Sequence, residues 1–262
     1  MGYFFKLQNT TMTDFSKVLI HASSISKLFT EPKEKAAKDA GELSATAKTH
    51  LIETYIKVKY NRRKEIETKQ MAKGKKAELD SLMLLSKTLG YFFDKNEESI
   101  QNDYIIGTPD TFIGESLDNL EAIIDVKTSW DIFTFLNNLD GKLNTDYYYQ
   151  LQAYMWLCNA EQGYVAFCLV DMPEDMINDE KQRLLYKTMA ISDESPEFKE
   201  QWSKKLPQLT YSDIPESERI LIFPVEKDPT FPEKCTQKVE KARSFLKEIE
   251  NSHLNFNKPF VY

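Results

Sequence analysis

Residues 104–127 read YIIGTPDTFIGESLDNLEAIIDVK and contain two strand-like segments, each associated with an aspartate. In the first, Asp110 follows an apolar run and a Gly-Thr-Pro bend, so its carboxylate is presented where a strand stops. In the second, residues 120–127 alternate as a strand does, and a period of two puts Asp125 and Lys127 on one face. We therefore predict that an acid and a base project side by side, near a second acid on a neighbouring strand.

An Asp-x-Lys pair is weak on its own, because it arises by chance in charged proteins and an aspartate before a turn is commonly only a cap. The chemistry that the pattern would suit is phosphodiester hydrolysis. Mg²⁺ held by carboxylates neutralises developing charge and lowers the pKa of a bound water. It prefers oxygen ligands and keeps several waters, so two or three carboxylates and a carbonyl suffice. A neighbouring lysine would then orient or deprotonate the attacking water.

A second candidate carboxylate lies in the helix that the sequence predicts over residues 69–89. In this helix Glu78 lies in line with Leu82, Leu85 and Leu89, within the apolar stripe. A charge in such a stripe is costly unless something pairs with it. A metal would satisfy it, and so would a lysine or arginine from another element; the sequence leaves both alternatives open.

The chain has 262 residues, which is long enough for one large domain. Its net charge is -7, and this negative charge argues against a protein that binds nucleic acid with its whole surface. Local positive charge must supply any phosphate contacts. One candidate group precedes Glu78, although a solvated helix face is the more ordinary explanation for it; it comprises Lys73, Lys75 and Lys76. A second basic cluster follows the helix predicted to begin at Ser44; it comprises Arg62, Arg63 and Lys64.

Several classes of protein are excluded by residue usage. The three cysteines are widely spaced and the three histidines scattered, which predicts neither a disulfide framework nor a zinc ribbon. No window has the apolar length of a membrane span, and residues 1–6 lack a signal-peptide core. We therefore expect a cytoplasmic protein.

The remaining pattern predicts an α/β sheet flanked by helices. Helices are predicted over residues 145–157 and 232–251, and strands over 163–170 and 219–225. Gln150 and Gln152 flank the apolar face of the first of these helices on opposite sides, so we expect only one of them to reach a given site.

Four motifs occur in a fixed order: Gly-Lys-Lys-Ala-Glu ending at Glu78, Thr-Pro-Asp ending at Asp110, Asp-Val-Lys ending at Lys127, and Gln-Leu-Gln-Ala-Tyr over residues 150–154. Together they resemble the PD-(D/E)xK nuclease superfamily, and most closely its lambda-exonuclease or YqaJ-type viral recombinase branch, which shares the Gln-x-x-x-Tyr element with RecB-type nucleases. The resemblance covers roughly residues 74–171. It implies an α/β restriction-endonuclease-like fold, with a central mixed β-sheet flanked by helices.

The resemblance also implies how the chain is divided and which residues act. The expected single nuclease domain, 1–262, comprises a helical part (1–68), a catalytic core (69–173), an insertion (174–218), and a strand with the C-terminal helix (219–262). Asp110, Asp125, Glu78 and the carbonyl of Val126 would hold the metal, Mg²⁺ or alternatively Mn²⁺, as two ions. Lys127 would activate the water. Gln150 would orient Lys127, a bound water or the substrate, with Tyr154 packed behind it.

By this resemblance the protein is expected to be a Mg²⁺-dependent exonuclease that resects duplex DNA ends into single-stranded tails for recombination, in a phage-type setting. A single-strand annealing protein and further copies of the chain are the expected partners. Lys17 stands near the place where the lambda-type enzymes carry a phosphate-binding arginine, and as a point charge it is a weaker replacement. An endonuclease of the same fold and a non-catalytic DNA-binding protein remain the alternatives.

Overall fold

A computed structural model describes residues 13–256 of the protein, with side chains described as far as residue 253. The strands are β1 Ile20–His21, β2 Ile100–Gln101, β3 Ile105–Gly107, β4 Thr111–Ser116, β5 Asn119–Thr128, β6 Gln162–Cys168 and β7 Ile220–Glu226. The helices are α1 Ser26–Phe29, α2 Lys35–Asp39, α3 Ala45–Tyr60, α4 Lys69–Lys76, α5 Glu78–Leu89, α6 Ile132–Leu136, α7 Thr145–Leu157, α8 Glu174–Thr188, α9 Pro196–Lys205 and α10 Phe231–Phe256. The predictions made for residues 1–6 lie outside the described residues.

The strands form two mixed sheets, of which the larger is the predicted central sheet and the smaller is an addition that the sequence analysis did not foresee. The larger has the order β4-β5-β6-β7, in which β5 and β6 are parallel and the outer pairs antiparallel. The smaller has the order β1-β3-β2. Residues 105–107 therefore belong to the smaller sheet, and the strand that pairs with β5 is β4, which begins directly after Asp110. The α/β class with a mixed sheet flanked by helices is confirmed.

Helices cover both faces of the larger sheet, which explains why β5 is apolar on both sides. One face, with Ile123 and Val165, packs in the main core together with residues of α3, α7 and α10. The other face, with Ile124 and Val126, packs against α5. Because side chains alternate along a strand, Asp125 and Lys127 share the face that Ile123 uses, which is the face towards α7.

The helix predicted over residues 69–89 is two helices. Helix α4 ends at Lys76, and Ala77, which is fully buried, separates it from α5. Glu78 consequently lies in the first turn of α5, where a negative charge is favourable near the positive end of the helix dipole. Leu82 and Leu85 are buried as predicted, but Leu89 is exposed at the end of the helix.

Within the described residues, no helix is both long enough and apolar enough to cross a membrane.

Candidate active site

Asp110 lies at the point where β5 extends past the end of its neighbour. Thr111, the first residue of β4, pairs with Ile124. The backbone of Val126, two residues further along β5 on the edge that faces β4, therefore has no strand residue opposite it. The carboxylate of Asp110 takes that place: its Oδ2 accepts a hydrogen bond of 2.7 Å from the Val126 N–H. The carbonyl of Val126 points to the same edge as its N–H, so it lies on the side of the strand from which Asp110 approaches.

Asp125 and Lys127 form a close ion pair on the face towards α7, as the strand period predicts. The Lys127 Nζ lies 2.9 Å from Oδ1 of Asp125 and 2.8 Å from Oδ2. The Asp125 side chain is fully buried, whereas 21% of the Lys127 side chain is exposed. The Asp125 carboxylate is thus enclosed by the protein, whereas part of the Lys127 side chain is accessible from the surface.

Helix α7 supplies the polar and aromatic groups around this pair. Gln150 Nε2 donates to Asp125 Oδ1 at 3.3 Å and to the Tyr154 hydroxyl at 2.9 Å, and its Oε1 lies 3.4 Å from Lys127 Nζ. Tyr147, one turn earlier, places its ring 5.1 Å from the same ammonium. Gln152 lies elsewhere: it bonds to the backbone of residues 226 and 228, so only Gln150 reaches the site.

The charges of the cluster are strongly coupled. Burial raises the pKa of the Asp110 carboxyl, and the negative charge of Asp125 raises it further. Burial alone would lower the pKa of Lys127, but the carboxylates of Asp125 and Asp110 outweigh it, so the net shift is upwards. Lys127 is therefore an ammonium at neutral pH, and its positive charge favours the ionised form of Asp110.

Glu78 approaches from the opposite face of the sheet, because α5 packs on the Ile124 side of β5. Its carboxylate forms an ion pair of 3.0 Å with Lys95, a partner that the sequence reasoning did not name. Glu78 is still close enough for its charge to raise the pKa of Asp110. Of the two partners that the sequence left open for Glu78, the structure shows a lysine. The role of Glu78 as a metal ligand stays a prediction.

The lysines predicted to contact DNA fall into two groups. Lys73 is 1% exposed, and its ammonium donates to the carbonyls of Ser129, Trp130 and Val170 at 2.9–3.0 Å. The DNA contact predicted for Lys73 is therefore wrong, because all three of its N–H groups are used inside the fold. The other three lysines are exposed, and a DNA contact for them stays a prediction; they are Lys17, Lys75 and Lys76.

The donor atoms suit an oxygen-preferring cation, although within residues 13–256 no three acidic, histidine or cysteine side chains already form a metal-binding group. Oδ2 of Asp125 is buried and accepts no hydrogen bond from the described residues, despite its ion pair with Lys127. The two aspartates also repel each other, as the raised pKa of Asp110 indicates. A cation held by these carboxylates would offset their repulsion and would give Oδ2 a partner besides the Lys127 ammonium, so the residues present fit Mg²⁺.

Solved structures of similar fold are exonucleases. A phage-related exonuclease from Haemophilus somnus 129PT matches with a TM-score of 0.68 and 25% identity, covering 90% of this chain and 97% of that one. The alkaline exonuclease LHK-Exo from Laribacter hongkongensis matches with a TM-score of 0.59 and 13% identity, covering 92% and 93%. A further structure of LHK-Exo, at 12% identity and a TM-score of 0.59, contains dAMP and covers 90% of this chain and 92% of that one. No family model and no curated protein matches the sequence.

Proposed function

We propose that this protein is a Mg²⁺-dependent DNA exonuclease that degrades one strand from a duplex end and leaves a single-stranded tail. The observation that carries the proposal is the convergence of two aspartates, one lysine and one glutamine at the edge of β5. The likeness of the fold to that of two exonucleases supports it.

The proposed metal ligands are Asp110, Asp125 and the carbonyl of Val126, with Glu78 completing or supporting the site. When bound there as two ions, Mg²⁺ (or alternatively Mn²⁺) would neutralise charge on the phosphate and lower the pKa of a water. The protein's own contribution is to hold the two carboxylates at fixed positions: Asp110 through the backbone of β5, and Asp125 through Lys127 and Gln150.

Lys127 has two proposed tasks at its ammonium. It orients the attacking water through an N–H group, and its positive charge stabilises the charge that develops on the phosphate oxygens. Because the two aspartates raise the pKa of Lys127, its side chain is an ammonium at neutral pH and acts on the water by donating a hydrogen bond, not by accepting a proton. Gln150 accepts from the Lys127 ammonium through Oε1, and its own amide nitrogen is held by the Asp125 carboxylate and the Tyr154 hydroxyl.

Several finer points belong to the same proposal. The substrate is a double-stranded DNA end, and Lys17, Lys75 and Lys76 contact its phosphates. A single-strand annealing protein receives the tail, the active form contains more than one copy of the chain, and the reaction takes place in the cytoplasm.

The test is to incubate the purified protein with end-labelled linear duplex, with or without a 5′-phosphate, and with covalently closed circles, in Mg²⁺ and in EDTA. We expect progressive loss of the linear DNA only, and only in Mg²⁺. Nicked circles would instead identify an endonuclease, and no cleavage with Mg²⁺ or Mn²⁺ would leave a DNA-binding protein.

Matched variants assign the activity to the cluster. Asp110→Asn and Asp125→Asn remove one negative charge each without changing side-chain size, and each is expected to lower the rate by at least a thousandfold. Asp118→Asn, an exposed aspartate in the β4–β5 turn, is the control and should retain the wild-type rate. Loss of activity in the control, or its retention in Asp110→Asn, would contradict the proposed site.

A further inference from the structure

A second concentration of charge lies outside the catalytic cluster. A surface pocket of about 230 Å³ is bounded by β1, the turn that follows it, α3 and the segment after α3. We call it the basic pocket; the basic side chains that line it are His21, His50, Lys57, Arg62, Arg63 and Lys64. Of the described residues that line it, Glu53 is the one acidic residue. In a chain whose net charge is -7, such a grouping is not a consequence of composition.

In the part of the chain that the structure describes, the lysine and arginine side chains of the basic pocket have no carboxylate partner. Within the described residues, neither Lys57, Arg62, Arg63 nor Lys64 lies within 4.0 Å of a carboxylate oxygen. Instead, Lys57 Nζ lies 3.2 Å from Nε2 of His21. An ammonium can only donate, so the histidine nitrogen accepts and the ring is neutral.

Like charges oppose one another in the basic pocket. Burial lowers the pKa of His21, and the positive charges of Lys57 and Arg63 lower it further. Burial also lowers the pKa of Lys57, with Arg63 adding to the effect. A bound anion would remove this repulsion and supply acceptors for the guanidinium groups, whose planar forks suit phosphate oxygens.

The basic pocket is joined to the catalytic cluster through the smaller sheet. His21 on β1 is the register partner of Ile106 on β3, and four residues of chain lead from Ile106 to Asp110, a span of at most about 14 Å. Ala22, directly after His21, packs against Gly107 in the same connection. The backbone that carries His21 therefore lies close enough to Asp110 for one polyanion to reach both places.

We propose that the basic pocket binds backbone phosphates of the DNA substrate, a few nucleotides from the phosphate that is cleaved. This inference rests on the proposed function for the identity of the polyanion. The pocket holds the strand in register with the catalytic cluster, and its contribution is to binding rather than to the chemical step.

The test measures DNA binding in EDTA, where cleavage does not interfere. A fluorescent duplex is titrated at several NaCl concentrations with the wild type, with the triple variant Lys57→Gln, Arg62→Gln, Arg63→Gln, and with a control that removes three exposed lysine charges elsewhere, Lys35→Gln, Lys199→Gln, Lys241→Gln. We expect the pocket variant to bind at least tenfold more weakly and to lose about 2.7 units from the slope of log K against log salt, since each of the three phosphate contacts contributes about 0.9. The DNA affinity of the control should stay within about twofold of that of the wild type, because salt screens the effect of charges that are distant from the DNA.

Two further arms make each outcome decisive. The double variant Arg62→Lys, Arg63→Lys retains both positive charges and should keep most of the salt dependence of DNA binding. A variant that failed to fold would lose that salt dependence. Inorganic phosphate alone should raise the melting temperature of the wild type little. The DNA assignment would be overturned if phosphate gave a saturable increase in melting temperature that the pocket variant lost, while that variant still bound DNA like the wild type. The pocket would then be assigned to a free phosphate compound. Equal weakening in the pocket variant and the control would also overturn it.

The binding result and the cleavage result can fail separately. If the wild type degrades linear DNA but the pocket variant binds like the control, the inference fails and the proposed function stands. If no cleavage occurs but the pocket variant still loses DNA affinity, the proposed function fails and the basic pocket remains a DNA site.

Discussion

The ammonium of Lys127 lies within 3 Å of both oxygens of Asp125, and the carboxylate of Asp125 is fully buried. A buried carboxylate is costly to leave without its partner, so this pair contributes to the fold as well as to the proposed reaction. Variants of the site must therefore be compared for stability before their rates are interpreted.

The first prediction concerns that pair. Lys127→Met leaves Asp125 buried and unpaired beside Asp110, and we expect it to lower the free energy of unfolding by about 3 kcal/mol. Adding Asp125→Asn removes the unpaired charge and should recover at least half of the loss. Urea unfolding of the four proteins in this double-mutant cycle measures both effects. A double variant whose loss equals the sum of the two single losses would mean that the residues do not interact.

The second prediction separates the two glutamines of α7. Gln150→Ala removes the group that orients both Asp125 and Lys127, and we expect kcat to fall by about 10- to 100-fold, the range for groups that position a reactive residue. KM and the melting temperature should change little, because Gln150 is half-buried and because Asp125 and Lys127 remain paired with each other in its absence.

Gln152→Ala is the matched control on the same helix. Gln152 is 1% exposed and bridges the backbone groups of residues 226 and 228, so its loss should lower the melting temperature while the rate per folded molecule is unchanged. If Gln152→Ala impaired kcat as strongly as Gln150→Ala, the assignment of Gln150 would lose its support.

The parts of the site that were predictable from the sequence are those that depend on local periodicity. The period of a strand is enough to bring Asp125 and Lys127 together, and the period of a helix separates Gln150 from Gln152. Tyr147 could have been found in the same way, since it precedes Gln150 by three residues and so lies on the same side of the helix.

The contacts that could not be predicted join segments far apart in sequence. Glu78 pairs with Lys95, and no local pattern distinguishes Lys95 from the other exposed lysines. Lys73 is buried because carbonyls from two separate segments converge on it, an arrangement that only the packed structure creates. The break at Ala77 has the same origin, since a charged run without proline gives no signal for a helix end.

The third prediction tests the structural role of Lys73. Burial lowers its pKa to about 8, so at neutral pH it is an ammonium with three donors for three carbonyl acceptors. Lys73→Met leaves these carbonyls without partners, and at about 1 kcal/mol or more for each we expect a loss of at least 3 kcal/mol. Chemical denaturation measures the loss.

Lys75→Met is the control for Lys73. Its ammonium is exposed and, among the residues that the structure describes, pairs only with Glu67, so stability should change by less than about 1 kcal/mol. Its effect, if any, should appear in DNA affinity, whereas Lys73→Met should not change the affinity of the molecules that remain folded. The opposite pattern would restore Lys73 as a DNA contact.

The fourth prediction concerns Gly107, which is needed for close packing and not for an unusual backbone conformation. A Cβ at this position would lie 2.6 Å from Cε1 of Tyr154 and 2.9 Å from Cβ of Ala22. The ring of Tyr154 is almost fully buried, so it can move only by displacing its neighbours. We expect Gly107→Ala to destabilise the protein by about 1–3 kcal/mol, the usual cost of overpacking.

Because the Tyr154 hydroxyl accepts from Gln150, a shifted ring should also move Gln150 away from Lys127 and lower kcat. Gly74→Ala is the opposite case: among the described residues, no atom beyond the adjoining helix backbone lies within 4 Å of the added Cβ, and in helix α4 the substitution should raise stability by about 0.5–1 kcal/mol. Thermal unfolding and steady-state rates of the two variants measure both effects. A Gly107→Ala protein with wild-type stability and rate would mean that Tyr154 does not hold Gln150 in place.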